Sequence, residues 1–239
     1  MQRHLIINAD DFGLAPGIDA GIVEAHEHGV LSSASLMVLQ ACAASAAAYA
    51  RAHPRLGLGL HIDLWESVRR DDDWVRLYQR VPAEADAVAA EVARQIERFR
   101  ALVGRDPDHL DTHQHVHRLE PVKSTVEAAG RALGVPVRGD GSVRYVGGFY
   151  GQTGLGLPYA EGITVERLLE LIDALEPGVT ELGCHPGHVG ADEALGGTMY
   201  RTERNDEVRT LCDPRVRARL ARGDVVALTF ADVLATARR

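Results

Sequence analysis

The stretch LIINADDFG at residues 5–13 decides the fold class. Three consecutive aliphatic residues followed by polar ones are typical of a short, buried strand in a parallel sheet. The polar residues that end this strand include two adjacent carboxylates, Asp10 and Asp11. Adjacent side chains of a strand point to opposite faces, but both can reach one site where the chain turns. The alternative interpretation is a helix cap or a turn, in which Asp is common.

Strands and helices alternate along the rest of the chain. Apolar runs bounded by breakers predict further strands at residues 35–39, 56–61, 109–113, 135–137, 179–184 and 225–229. Apolar periodicity and end signals predict helices at residues 16–28, 41–53, 84–103, 121–133, 164–175 and 231–239, with one or two more within 200–221. Two segments, 65–82 and 139–156, are predicted to be loops. The alternation predicts a single α/β domain over residues 1–239, with a parallel sheet that is open or closed into a barrel.

Polar residues follow four of the predicted strands. Asp10 and Asp11 end the first strand, His61 ends the third, His113 ends the fourth, and His185 follows strand 179–184. In open sheets and in barrels alike, active sites lie beyond the carboxyl ends of parallel strands. We therefore expect these five side chains to gather on one face of the domain.

The segment HLDTHQHVH at residues 109–117 is the strongest local signal of a metal site. Its last three histidines alternate with other residues, so they share one face of a strand or fan around a turn. Imidazole is the commonest metal ligand in proteins. The preceding Asp111 could accept a hydrogen bond from the second nitrogen of one imidazole. The alternative is a solvated, histidine-rich turn.

The segment CHPGH at residues 184–188 places two more histidines after a predicted strand. His185 could act as an acid or base, because the pKa of histidine lies near the working pH. Cys184 could be a nucleophile, but a cysteine that ends an apolar strand is more often a buried structural residue. A turn whose histidines have no chemical role is the alternative.

Composition excludes several classes of function. The 239-residue chain carries a formal net charge of −8, which argues against a nucleic-acid partner. No apolar run approaches the roughly 20 residues that span a bilayer, and the N-terminus lacks the pattern of a signal peptide. Three cysteines cannot all pair within one chain and lack zinc-type spacing; they are Cys42, Cys184 and Cys212. We expect free thiols and a cytoplasmic protein.

Together these residues predict a metal-assisted hydrolase. Two histidines and one carboxylate form an open metal site that leaves positions for water and substrate. A second carboxylate can then be the general base, and a more distant histidine the general acid. This donor set suits zinc, and it also tolerates magnesium, manganese or cobalt.

Four motifs resemble, in order and character, the YdjC-like carbohydrate deacetylases, a group that includes the chitooligosaccharide deacetylases. They are NADDFG at 8–13, GLH at 59–61, HLDTHQHVH at 109–117 and CHPG at 184–187. The resemblance runs from residue 5 to about residue 190. It implies a distorted (β/α) barrel, one divalent metal ion, an N-acetylated sugar as substrate and acetate as product. It also implies a homodimer.

Matching positions carry the roles of the family's site residues over to this chain. By this resemblance, Asp11, His61 and His113 are the metal ligands, Asp10 is the general base and His185 is the general acid. The resemblance has two departures.

Many relatives have a third consecutive histidine where this chain has Gln114, and the segment 62–112 is short for the family. The resemblance does not identify the sugar, the linkage or the metal. It also leaves three histidines without a role: His115, His117 and His188.

Three other functions compete with the deacetylase. The first is an amidohydrolase or phosphoesterase in which His113 and His115 are paired ligands, although such enzymes typically carry His-x-His on the first strand. The second is an iron oxygenase with two histidines and one carboxylate, usually an all-β protein. The third is a sugar- or metal-binding protein without catalysis.

Overall fold

The structure is a computed structural model, and it describes residues 2–190, 195 and 197–237. The strands are β1 Arg3–Phe12, β2 Ser33–Leu36, β3 Gly57–Ile62, β4 Trp65–Arg70, β5 Asp73–Gln79, β6 Leu110–Thr112, β7 Arg144–Val146, β8 Gly178–Cys184 and β9 Val225–Ala227. The α-helices are α1 Pro16–Glu27, α2 Ala43–Ala52, α3 Ala85–Val103, α4 Val122–Leu133, α5 Val165–Asp173, α6 Glu203–Leu211, α7 Pro214–Leu220 and α8 Phe230–Ala237. Two 3-10 segments cover His113–Arg118 and Ala160–Ile163.

Parallel strands form the centre of the molecule. Their order is β6-β3-β2-β1-β8-β7, and β9 pairs with the first residues of β1. Val137 extends the order beyond β6 through a parallel bridge to Leu110. The next residue, Arg138, reaches carboxylates on β1, β6 and β8 at once. Side chains from such distant strands can meet only inside a strongly curved sheet. The predicted α/β fold, a distorted and partly closed barrel, is confirmed.

The helices pack their apolar faces on this half-barrel. In α3, the buried stripe predicted from the sequence comprises Val88, Val92, Ile96, Phe99 and Val103. Burying each such side chain contributes about 1.5–3 kcal/mol. The helix stops at Gly104, whose φ of 81° is the left-handed conformation that glycine adopts easily.

Several predictions of secondary structure are wrong in detail. The segment 135–137 is not a strand and contributes only the single bridge from Val137 to Leu110. The predicted loop at 65–82 is the antiparallel hairpin β4–β5, which turns at Asp71 and Asp72, both with positive φ. A two-residue turn of this kind matches the twist of the strands, and Asp tolerates it, but charged residues hide the strand pattern. The predicted loop at 139–156 contains β7, and the second strand begins and ends earlier than 35–39. The end of the predicted closing helix, 238–239, lies outside the described residues.

Two observations bear on the cellular expectations. None of Cys42, Cys184 and Cys212 forms a disulfide bond, as predicted. In the part of the chain that the structure describes, no helix combines the length and apolarity needed to cross a membrane.

Candidate metal centre and active site

The five predicted site residues line one cavity of about 870 Å³ at the carboxyl ends of the strands. Asp10 and Asp11 lie where the register of β1 against β2 shifts, between Ala9 and Phe12. A shift of this kind redirects side chains, and Asp11 there has a φ of 67°. The structure therefore brings both carboxylates to the same side, as the strand-end rule predicts.

Asp11, His61 and His113 form a buried cluster. Each offers one ligand atom, and the three atoms lie within 4.8 Å of one another. Oδ1 of Asp11 is 3.4 Å from Nε2 of His61 and 3.1 Å from Nδ1 of His113. One carboxylate oxygen and two imidazole nitrogens are a donor set that divalent cations bind well. The residues present thus fit a divalent metal ion.

Asp111 fixes the ring of His61. Nδ1 of His61 lies 2.7 Å from Oδ1 of Asp111, so Nε2 faces Asp11. Burial alone would lower the pKa of His61, but the carboxylates of Asp111 and Asp10 outweigh it and raise that pKa well above its usual value. A carboxylate behind a ligating imidazole orients the ring and increases its basicity.

Arg204 fixes the other oxygen of Asp11. Its Nη2 lies 2.6 Å from Oδ2, which leaves Oδ1 to face the two imidazoles. Burial raises the pKa of Asp11, but the guanidinium outweighs burial and holds that pKa well below the usual range. Asp11 is therefore ionised, as a metal ligand must be.

Asp10 lies beside this cluster and is held by Arg138. The guanidinium donates two hydrogen bonds, of 2.6 and 2.7 Å, to the two oxygens of Asp10. It also pairs with Asp111 and Glu181 at 2.8 and 2.6 Å. Burial alone would raise the pKa of Asp10, but Arg138 outweighs burial and lowers it. A second compact group, Asp10 with His61 and Asp111, already has this guanidinium as its countercharge.

His185 stands across from Asp10. Its Nε2 lies 3.7 Å from Oδ2 of Asp10, and burial lowers the pKa of His185 to about 4. Its backbone N–H donates to the buried carboxyl of Glu207, whose pKa burial raises to about 8. The aromatic rings of Tyr150 and Tyr200 flank the imidazole at 5.2 and 5.3 Å.

His115 and His117, the last two histidines of the 109–117 motif, have partners outside the cluster. Gln114 and His115 both have positive φ, so the motif fans around a turn instead of continuing a strand. Nε2 of His115 lies 3.3 Å from the hydroxyl of Tyr145, and Nδ1 of His117 lies 2.7 Å from that of Thr112. Among the described residues, neither histidine belongs to a metal-type cluster. Within the described residues, the metal-type group of His113 thus contains Asp11 and His61 and not His115.

Cys184 and His188, the other two reactive side chains of the segment 184–188, have structural contacts. Cys184 is buried, donates to the carbonyl of Asn8 at 3.3 Å, and burial raises the pKa of its thiol well above the usual value. Such a thiol is a poor nucleophile. His188 pairs with Glu24 at 2.8 Å on the surface.

Sequence reasoning misses four charged residues of the site. Arg138 directly follows the predicted strand 135–137, so the strand-end rule could have found it. Arg204 and Glu207 lie on α6, and Glu66 lies on the hairpin. No local pattern distinguishes these last three residues from ordinary surface charges.

The family model described as YdjC-like protein matches residues 4–222. The chain belongs to the YdjC-like family. This YdjC-like chain is 32% identical to a carbohydrate deacetylase of Geobacillus stearothermophilus, over 96% of this chain and 98% of that protein. It is also 32% identical to a chitooligosaccharide deacetylase of Serratia marcescens, over 98% of this chain and all of that protein.

Solved structures confirm the fold of the YdjC-like chain. A protein of Enterococcus faecalis superposes with a TM-score of 0.79 at 23% identity, covering 98% of this chain and 99% of that one. A family 4 carbohydrate esterase of Streptomyces lividans has a TM-score of 0.56 at 10% identity, covering 94% of this chain and 91% of that one. At these identities the likeness concerns the fold alone.

Proposed function

We propose that this YdjC-like chain is a metal-dependent hydrolase that removes the acetyl group from an N-acetylated sugar of the N-acetylglucosamine type, free or in an oligosaccharide. One observation carries the proposal: a buried carboxylate–imidazole cluster opens into a cavity whose wall also holds Asp10 and His185, 3.7 Å apart. The two relatives named as deacetylases, which match nearly the whole chain, support the same reaction.

Asp11, His61 and His113 would hold one divalent ion. Two imidazoles and one carboxylate favour zinc, and magnesium, manganese and cobalt are compatible. When bound, such an ion supplies a Lewis acid that makes water more acidic and polarises the amide carbonyl. Arg204 and Asp111 serve this set by fixing the orientation of Asp11 and His61.

Asp10 is the proposed base. It accepts the proton of the attacking water as a carbon–oxygen bond forms at the amide carbon. Arg138 keeps the carboxylate ionised and holds both of its oxygens in place. Because the proton is removed by a group outside the ligand set, loss of Asp10 leaves metal binding intact.

His185 is the proposed acid. The carbon–nitrogen bond breaks when the amine nitrogen gains a proton, which gives acetate and a free amino sugar. Burial keeps His185 neutral near pH 7, so the proton it donates must arrive during the reaction. Asp10, 3.7 Å away, is positioned to hand over the proton taken from water. One proton then moves from the water to the amine in two short steps.

The lining of the cavity suits a sugar. Four of the chain's six tyrosines line it, and so does the half-exposed Trp74. Aromatic walls with a few fixed polar groups are typical of small-molecule sites. The tyrosines concerned are Tyr145, Tyr150, Tyr159 and Tyr200.

We further propose that residues 1–239 form one domain that assembles as a homodimer in the cytoplasm. Pairing of β1 with β9 ties the two ends of the chain into one sheet, which supports a single domain. Free cysteines are typical of a reducing compartment. The homodimer rests on the family resemblance, and light scattering in solution tests it.

Acetate release tests the proposed reaction. Purified protein is incubated with N-acetylated mono- and disaccharides, with chelator and with each added divalent metal. We expect chelator-sensitive release from at least one sugar and none from a phosphoester substrate. Folded, metal-loaded protein that releases phosphate but no acetate would instead support a phosphoesterase.

A further inference from the structure

Glu66 is a buried carboxylate that the proposed reaction does not use. It lies on β4, and only 5% of its surface is exposed. Its Oε2 lies 3.7 Å from Nε2 of His113, on the side of the ring opposite to Asp11. Glu66 does not line the catalytic cavity, so it stands behind the imidazole and not in front of it.

In the described part of the chain, each of these two side chains has a polar atom without a hydrogen-bond partner. Among the described residues, neither Nε2 of His113 nor Oε1 of Glu66 has a hydrogen bond, and both are buried. A buried polar group without a partner loses its hydrogen bonds to water without replacing them, so native proteins rarely leave one. A nitrogen and a carboxylate that face each other need to approach by only about 0.7 Å to form a normal hydrogen bond.

We propose that Glu66 is a positioning residue for the metal centre: it accepts a hydrogen bond from Nε2 of His113 and so keeps Nδ1 directed at Asp11. This inference rests on the proposed function, because it concerns the same metal. It gives His113 the support that Asp111 gives His61. In each case one ring nitrogen faces Asp11 and the other faces a carboxylate outside the ligand set.

A side-chain clamp holds Glu66 in this place. The amide of Gln114 accepts a hydrogen bond from the backbone N–H of Ser67 and donates one to its carbonyl, both at 2.8 Å. Gln114 directly follows His113, and Ser67 directly follows Glu66. The clamp therefore fixes the hairpin to the turn that carries the ligand. A shift of the hairpin would therefore also displace His113.

Metal titration tests the proposal without relying on turnover. Cobalt(II) is added to metal-free wild type, Glu66→Gln and Asp73→Asn, and its visible absorption gives the Kd. Asp73 is an exposed carboxylate on the same hairpin, so Asp73→Asn makes the same chemical change away from His113. We expect Glu66→Gln to raise the Kd about 10–100-fold, the usual effect of losing such a carboxylate. Asp73→Asn is expected to bind like wild type.

A second variant tests the same proposal if Glu66→Gln does not fold. Gln114→Asn tolerates the positive φ, but its side chain is one methylene too short for the clamp. We expect Gln114→Asn to have a higher Kd for cobalt than wild type. We also expect added metal to raise its Tm by less, whatever the Tm of the metal-free variant. Equal affinity of wild type and Glu66→Gln, or an equal loss in Asp73→Asn, would overturn the proposal. Wild type that binds no cobalt would instead overturn the proposed function.

Discussion

Replacing Asp10 by Asn removes the proposed base and keeps the size of the side chain. In the wild-type protein, Asp10 accepts hydrogen bonds from Nη1 and Nη2 of Arg138 and, at 3.1 Å, from Nδ2 of Asn8. An amide has only one acceptor oxygen, so its NH2 group must face at least one of these donors. Arg138 keeps its bonds to Asp111 and Glu181, and we therefore expect the variant to fold.

Two effects of Asp10→Asn differ in size. Loss of a general base lowers kcat by roughly 10²–10⁴, or about 2.7–5.4 kcal/mol of activation free energy. Loss of one charge-assisted hydrogen bond lowers the free energy of unfolding by about 1.5–3 kcal/mol. The Kd for the metal is expected to stay within a few-fold of wild type, because Asp10 lies outside the ligand set.

Glu181→Gln is the matched control. Glu181 is another buried carboxylate that pairs with Arg138, but it does not line the cavity. We expect Glu181→Gln to lower the free energy of unfolding as Asp10→Asn does, and to keep kcat within a few-fold of wild type. Acetate release, urea unfolding and cobalt titration are measured on all three proteins. If Asp10→Asn turned over within tenfold of wild type, or Glu181→Gln lost as much activity, Asp10 would not be the base.

Three further predictions concern the neighbours of this pair. His185→Gln lowers kcat by roughly 10²–10⁴ and leaves the metal Kd unchanged; a changed Kd with normal kcat would contradict the acid role. Arg138 lowers the pKa of Asp10, so Arg138→Met raises that pKa and moves the acid limb of the pH profile of kcat/KM to higher pH. An acid limb at the wild-type pH would disprove the effect of Arg138 on the pKa of Asp10. Arg204→Met breaks the buried ion pair with Asp11 and lowers the free energy of unfolding in denaturant by about 3–5 kcal/mol, part of which added metal restores; a loss under 1 kcal/mol would contradict this role of Arg204.

The sequence predicts the central strands β1 and β3 because each contains a buried apolar run, whereas it misses β7, a three-residue strand that is partly exposed. The run Leu5–Ile7 and the stripe of α3 depend on local pattern, and the structure has both. The hairpin β4–β5 escapes prediction for a physical reason. It lies over the half-barrel and is largely exposed along β5, so charges interrupt its alternation, and its turn uses Asp71 and Asp72 instead of glycine.

Residues of the site are predictable only where strand ends place them. Asp10, Asp11 and His61 come to one cavity because parallel strands end on one face. Arg204 reaches the same cluster from a helix far away in the chain, and Glu66 reaches it from the hairpin that follows β3. Their placement depends on tertiary packing, which no short window of sequence contains.

Metal reconstitution tests the central claim most directly. The protein is stripped with chelator, and acetate release from a responsive N-acetylated sugar is measured as one divalent metal is added back stepwise, with Asp11→Asn in parallel. We predict that activity rises linearly and saturates at one metal per chain, while Asp11→Asn stays inactive at that concentration. Full acetate release by metal-free protein, or saturation of Asp11→Asn at the same metal ratio, would contradict a hydrolase built on Asp11, His61 and His113.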